Sequence, residues 1–441
     1  LRADHLGCYG YPRPTSPHVD ALAERGVLLE RFLTPRGLTY PALSTLLTGL
    51  ECHHHRSRYN FQLPADSVTL AHILGGQDYQ CRAYLANADE MVRLGFDDAS
   101  EGFSHIINHT KRDLAITELG VRFLQEQARE RRKPFFLWLH YMSPHRPFKP
   151  PEPWERGLDG QSPRSAKYYD ERLEQYMQAR ADLSGGTLEA ILNYYDGCVA
   201  FVDSLVAEVL AALEEQGLDE NTLVVFTADH GEELYDHLHY FLHQLSMYDG
   251  TLHIPLILYW KGKLPQGLRV SEPVGLVHLM PTLLELLGLD LEHEIDGESF
   301  RPLVHSYSAD EPPEEVQAIR HDWLFRPVLL EMVLEEGCAY GVYRYPHKYI
   351  FLEEEVGFRT RPAAVPNRPV TTHVYPPVQL FDLVQDPKEK QNLAEKKPEL
   401  RDELHPIVQE KLLKFANCLE DRFPETDSIE PHVLETLEAL G

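Results

Sequence analysis

With 441 residues, 43% of them hydrophobic, the chain is long enough to bury one large α/β core and a smaller companion. A formal net charge of −27 argues against nucleic acid or anionic membrane as general partners, and no apolar run reaches the length of a membrane span. Six cysteines lie far apart without a Cys-X-X-Cys pair, which argues against a zinc ribbon or disulfide scaffold and is compatible with a reducing compartment.

Residues 1–13 are loop-like, with Gly7, Gly10 and Pro12. Ser16 is placed to cap a helix whose apolar positions Val19, Leu22 and Ala23 have helical spacing and which Gly26 ends. In the next segment Pro41 suits the first turn of a helix and Gly49 its end. Thr39 therefore falls at or just before a helix N-terminus, where free N–H groups favour an anion. The region 67–103 reads as helix, strand (Cys81–Leu85) and loop, and 113–128 as an amphipathic helix. Pro134–Met142 is a buried strand that ends in Ser143-Pro144-His145-Arg146-Pro147. Residues 149–186 are polar and Pro-rich, a surface excursion.

A helical stripe over 196–216 leads into Thr222–Phe226, a continuously apolar run expected of a strand buried on both faces. That strand stops at Asp229-His230-Gly231, and strand ends of open α/β sheets are where ligands bind. Ile254–Tyr259 is another buried strand, and Val277–Leu287 a helix stopped by Gly288. The alternation predicts a doubly wound, mainly parallel sheet flanked by helices. Beyond about residue 300, strand-rich Ala339–Leu352, Gln379–Leu383 and a charged helix over 397–415 predict a smaller α+β C-terminal subdomain. The expected division is 1–305 and 306–441.

Five side chains stand at these predicted ends. Thr39 offers a hydroxyl at a helix N-terminus. Asp229 and His230 pair a hard oxygen with a borderline nitrogen, suited to a divalent cation. His145 and His243 add two imidazoles. A lone histidine after a strand is more often structural. Together the set supplies what phosphoryl or sulfuryl transfer needs: a metal-activated nucleophile, charge stabilisation and a proton donor.

Over almost its whole length the chain resembles the sulfatase branch of the alkaline phosphatase superfamily. The resemblance is carried by Leu1–Tyr11, by Ser16–Gly26, by Thr39–Gly49 with its Leu-Leu-Thr-Gly ending, and by Asp229-His230-Gly231-Glu232. Tyr248–Leu256, Pro281–Leu284 and Phe381-Asp382-Leu383 with Asp386-Pro387 and Asn392-Leu393 complete it in order. It implies an alkaline phosphatase-like fold and a hydrolase of phosphate or sulfate esters using a covalent Thr39 intermediate. A divalent ion (Mn, Zn or Ca) would be held by Asp229, His230 and Thr39, with His145 and His243 catalytic. The substrate would be a small-molecule, glycan-linked or lipid-linked anionic ester. The resemblance also places one strand and its metal-binding carboxylates immediately before the position matching Leu1, so that strand is expected to be missing from the chain.

The family's Cys-X-Pro-Ser-Arg motif, whose Cys becomes formylglycine, reads Thr39, Ala42 and Leu43 here at the Cys, Ser and Arg positions. Threonine cannot form that aldehyde. The Thr form resembles phosphodiesterases and phosphoethanolamine transferases, and the segment Leu139–Pro147 resembles the His-X-Pro segment of those transferases. The usual lysine before the Tyr-Asp pair is replaced by Gln244, with His243 beside it. Two alternatives follow: a phosphotransferase of the phosphoethanolamine-transferase type, and a catalytically silent binding domain.

Overall fold

The computed structural model describes residues 1–57, 63, 67–85, 96, 98–99, 109–130, 133–156, 158, 187–237, 241, 243, 246–305, 314–334, 337–352, 357–360, 371–374 and 376–422. Its strands in chain order are β1 (Val27–Leu33), β2 (Gln80–Tyr84), β3 (Asp98–Ala99), β4 (Phe135–Leu139), β5 (Val224–Thr227), β6 (His253–Tyr259), β7 (Leu268–Val270) and β8 (Val274–Gly275). They continue with β9 (Val328–Leu334), β10 (Gly337–Arg344), β11 (His347–Leu352), β12 (Gly357–Thr360), β13 (Thr371–Val374) and β14 (Val378–Asp382).

The central sheet has the order β5-β6-β1-β7, with β8 also paired to β1. β1 runs parallel to β7 and β8, while β6 is antiparallel to both β1 and β5. A second sheet, β3-β2-β4, is parallel throughout. The central sheet is thus mixed, with β6 antiparallel to both of its neighbours, while the second sheet is parallel.

Strand period two decides which residues face which layer. Val27 and Leu29 of β1, with Leu256 and Leu258 of β6, pack under Ala42, Leu46 and Leu47 from the helix Thr39–Thr48 and under the helix Leu279–Leu287. Leu28 and Ile257 face the opposite layer, with Leu22 of the helix Pro17–Arg25 and Tyr195 and Val199 of the helix Thr187–Glu215. Gly49 and Gly288 close their helices with φ of 65° and 72°, a left-handed conformation that costs glycine little.

Two expectations change. Strands β4 and β5 are half-buried, not buried, because among the described residues each is paired on one side only, to β2 and β6 respectively. Ser16 does not cap the helix Pro17–Arg25. Its hydroxyl donates to Asp20 and accepts from the Gly7 N–H, and the free His18 and Val19 N–H groups are taken by Asp203 of the facing helix. A short serine cannot do both, and the longer carboxylate from a packed neighbour reaches the helix end.

Beyond the central unit, β9, β10, β11 and β14 form an antiparallel sheet in the order β14-β11-β10-β9. One face packs on the helix Pro398–Arg422 through Val342, Tyr349, Leu380, Leu404 and Val408. The other face, with Leu330, Met332, Tyr343 and Ile350, packs on Leu33 at the end of β1 and on Met247, Tyr248 and Leu252. The C-terminal subdomain therefore leans on the segment that follows the Asp229-His230-Gly231 turn. Strands β12 and β13 pair separately. Much of the excursion over 149–186, the loop after β2, and Gln244 lie outside the described residues. Among those described, no helix is long and apolar enough to cross a membrane.

Candidate active site

The turn after β5 is held by backbone. The Gly231 and Glu232 N–H groups donate to the carbonyls of Thr251 (2.8 Å) and Gly250 (3.0 Å). A Cβ on Gly231 would lie 2.1 Å from the Gly250 carbonyl oxygen, so the close approach requires glycine. Asp229 Oδ1 accepts from the His230 N–H at 2.9 Å. The His230 ring is fixed by Nδ1–H donating to the Gly231 carbonyl at 2.7 Å. Since a carbonyl only accepts, the proton sits on Nδ1 and the Nε2 lone pair points into the site.

Thr39 is the first residue of the helix Thr39–Thr48, as its sequence position predicts, and no side-chain cap is seen at that end among the described residues. Its Oγ1 lies 3.1 Å from His230 Nε2. Asp229 Oδ2 approaches the same nitrogen at 3.3 Å. The His243 ring is 4.1 Å from the His230 ring, and the His145 ring is 5.0 Å from that of His243. All five candidate residues are thus brought into one cluster, although they come from four separate stretches of chain.

Two further members were not singled out from sequence. Glu232 is buried and faces His243 Nδ1 at 3.3 Å. The signal was present, since Glu232 directly follows Asp-His-Gly. His140, at the end of β4, lies within electrostatic reach of Asp229.

Burial opposes charge on His230, Asp229, Glu232 and His145, and the neighbours decide which keeps it. Burial holds His230 down to about 3, only partly offset by Asp229, so its imidazole is neutral. Burial alone would raise Asp229, but the neighbouring rings of His230 and His140 and the hydrogen bond from the His230 N–H outweigh it and keep the carboxyl well below its usual range. Glu232 is likewise lowered to about 2, with burial overcome by His243 and His145. His145 is lowered, mainly by burial, and its Nδ1 donates to the Arg146 carbonyl at 2.5 Å.

A neutral Nε2 lone pair and an ionised Oδ2 facing each other at 3.3 Å are two acceptors in need of positive charge. That arrangement, with the Thr39 hydroxyl beside it, fits a divalent cation of the oxygen- and imidazole-binding kind. Among the described residues no three His, Cys, Asp or Glu side chains form a cage. The fit is thus to an open, partial ligand set of Asp229, His230 and Thr39.

Comparisons with known proteins place the chain in a family. The family model described as Sulfatase matches residues 1–289. Arylsulfatase K of Gallus gallus is 27% identical over 443 residues, covering 89% of this chain and 77% of that protein. Arylsulfatase K of Homo sapiens is 25% identical with the same coverage. Among solved structures, the phosphonate monoester hydrolase of Agrobacterium radiobacter superposes with a TM-score of 0.68 at 22% identity, covering 95% of this chain and 94% of that one. A protein solved with its substrate D-glucosamine-2-N,6-O-disulfate gives 0.69 at 19% identity, with coverages of 96% and 97%. The family match extends from the Thr39 helix through the Asp229-His230 turn to the helix ending at Leu287, and the fold agrees over nearly the whole chain. The chain belongs to the sulfatase family of the alkaline phosphatase superfamily and is a sulfatase-type ester hydrolase.

Proposed function

We propose that this chain hydrolyses phosphate or sulfate esters through a covalent intermediate on Thr39, with Asp229, His230 and the Thr39 hydroxyl holding a divalent cation. The observation that carries the reading is the 3.1 Å approach of Thr39 Oγ1 to His230 Nε2 at a helix N-terminus. A divalent cation held there supplies charge neutralisation and lowers the cost of ionising the hydroxyl.

The other roles fall to the chain itself. The N-terminal end of the helix Thr39–Thr48, whose peptide dipoles point toward the site, favours the oxygens of the transferred group, where negative charge grows. Attack by Thr39 Oγ1 forms the O–P or O–S bond as the bond to the ester alcohol breaks, and the threonine proton passes to solvent. Glu232 accepts from His243 Nδ1–H, which leaves Nε2 directed away from it. His145 is held in the same sense by the Arg146 carbonyl. Either imidazole, when protonated, gives the departing alcohol oxygen its proton. Water then cleaves the Thr39 ester, releasing phosphate or sulfate and restoring the hydroxyl. The solved relatives, a phosphonate monoester hydrolase and a protein with a sulfated glucosamine as substrate, support an anionic ester borne on a small molecule or glycan.

Thr39→Ala tests the assignment. It is expected to leave the fold intact by circular dichroism and to lower kcat/KM by about a thousandfold or more, as loss of a nucleophile does. Turnover within about tenfold of the parent would transfer the role to another residue.

A further inference from the structure

Lys348 lies on β11 in the C-terminal sheet and has no solvent exposure. Its Nζ donates to Asp249 Oδ1 and to Glu389 Oε1, both at 2.7 Å. Glu389 Oε2 accepts from the Asp249 N–H at 2.7 Å, and Asp249 Oδ2 accepts from Arg31 of β1 at 2.6 Å. Arg31 and Lys348 thus face Asp249 and Glu389 in one cluster, with Lys348 and Glu389 fully buried.

Asp249 opens the short helix Asp249–Leu252, and that helix is what the candidate site hangs on. The carbonyls of Gly250 and Thr251 hold the Glu232 and Gly231 N–H groups, and the Leu252 carbonyl holds the Thr34 N–H at 2.9 Å, where β1 leads toward Thr39. A lysine from the distant subdomain therefore pins the one helix that fixes both the His230 turn and the approach to Thr39.

We infer that Lys348 is a positioning residue: with Glu389 it anchors Asp249, and through the helix Asp249–Leu252 it holds the His230 turn in register with Thr39. Stability alone does not require such a cluster, because well-packed apolar side chains often serve as well as buried ion pairs. What ionic hydrogen bonds add is direction, and Asp249 is gripped from three sides. The catalytic consequence presupposes the Thr39 chemistry proposed above; the structural consequence does not.

Hydrogen–deuterium exchange on the full chain separates them. In Lys348→Met, amides of 229–233 are expected to exchange at least about tenfold faster than in the parent, and Lys348→Arg is expected to restore most of the protection. On a phosphonate monoester, kcat is expected to fall about tenfold or more in Lys348→Met with KM changed less than about threefold. Faster exchange confined to 347–352 and 386–389, with 229–233 as in the parent, would overturn the inference by reducing Lys348 to a local brace. If Lys348→Met does not fold, Glu389→Gln removes the second anchor at nearly constant volume and is read by the same two patterns. Should Thr39→Ala keep its activity, the proposed chemistry fails while the exchange result still decides the role of Lys348.

Discussion

At the scale of single residues, the site gathers more lone pairs than protons: His230 Nε2 has the Thr39 hydroxyl at 3.1 Å, and Asp229 Oδ2 crowds the same nitrogen. His230 Nδ1 is committed to the Gly231 carbonyl, so its other nitrogen meets Asp229 Oδ2 as one acceptor meets another. Asp229→Asn replaces the charged ligand with a neutral amide and removes the need for positive charge at that point. Metal analysis after dialysis is therefore expected to find less than about a tenth of the parent's divalent ion in this variant, since carboxylate ligands carry much of such an affinity. Full occupancy would mean the ligand set is elsewhere. Asp229, His230 and Thr39 were legible in sequence because each ends or begins an element. Glu232 was harder to assign, because whether it turns toward His243 or toward solvent depends on residues eleven positions away.

At the scale of elements, two contacts hold the site-bearing loops. Gly231 touches Gly250 so closely that Gly231→Ala drives Cβ against a backbone carbonyl that cannot rotate aside. A loss of about 3 kcal/mol or more in chemical denaturation is expected, the upper range for overpacking. A cost below about 1 kcal/mol would show the turn to be looser than described. The second contact is Asp113 on the helix His109–Glu130, whose carboxylate accepts from the N–H groups of Met142 (2.9 Å) and Ser143 (2.7 Å), just before His145. Burial raises its carboxyl from 3.8 to about 6, against the pull of those hydrogen bonds. A folded value above the unfolded one means the contribution to stability is complete below pH 4 and is lost as pH rises through 6. The difference of roughly two units amounts to about 3 kcal/mol. Between pH 4 and pH 7 the change in denaturation stability is expected to be less unfavourable in Asp113→Asn than in the parent by about that amount. Equal pH dependence in the two would refute it.

For the whole molecule, the strongly acidic balance makes the local site the deciding feature. A net charge of −27 repels an anionic ester unless the helix N-terminus and a bound cation offset it. With threonine at position 39, the formylglycine hydrate of aryl sulfate hydrolysis cannot form, whereas an alkoxide suits a phosphorus centre. In a side-by-side panel, kcat/KM is expected to be higher for phosphonate monoesters or phosphodiesters than for aryl sulfates. Aryl sulfate as the best substrate would reverse that order and with it the chemistry assigned to Thr39.

Local chemistry by itself determined the helix starting at Thr39, the apolar strands β5 and β6, the left-handed closures at Gly49 and Gly288, and the ordered motifs of the family. These depend on period, caps and turn residues within a few positions. Tertiary structure alone decided that Asp203, not Ser16, caps the helix Pro17–Arg25, and that β4 and β5 are half-buried. It also decided that β6 runs against its neighbours and that Lys348 reaches Asp249 from a different sheet. Each of these turns on which surfaces meet between elements well apart in the chain, and no local pattern of side chains encodes the partner on the far side of a contact.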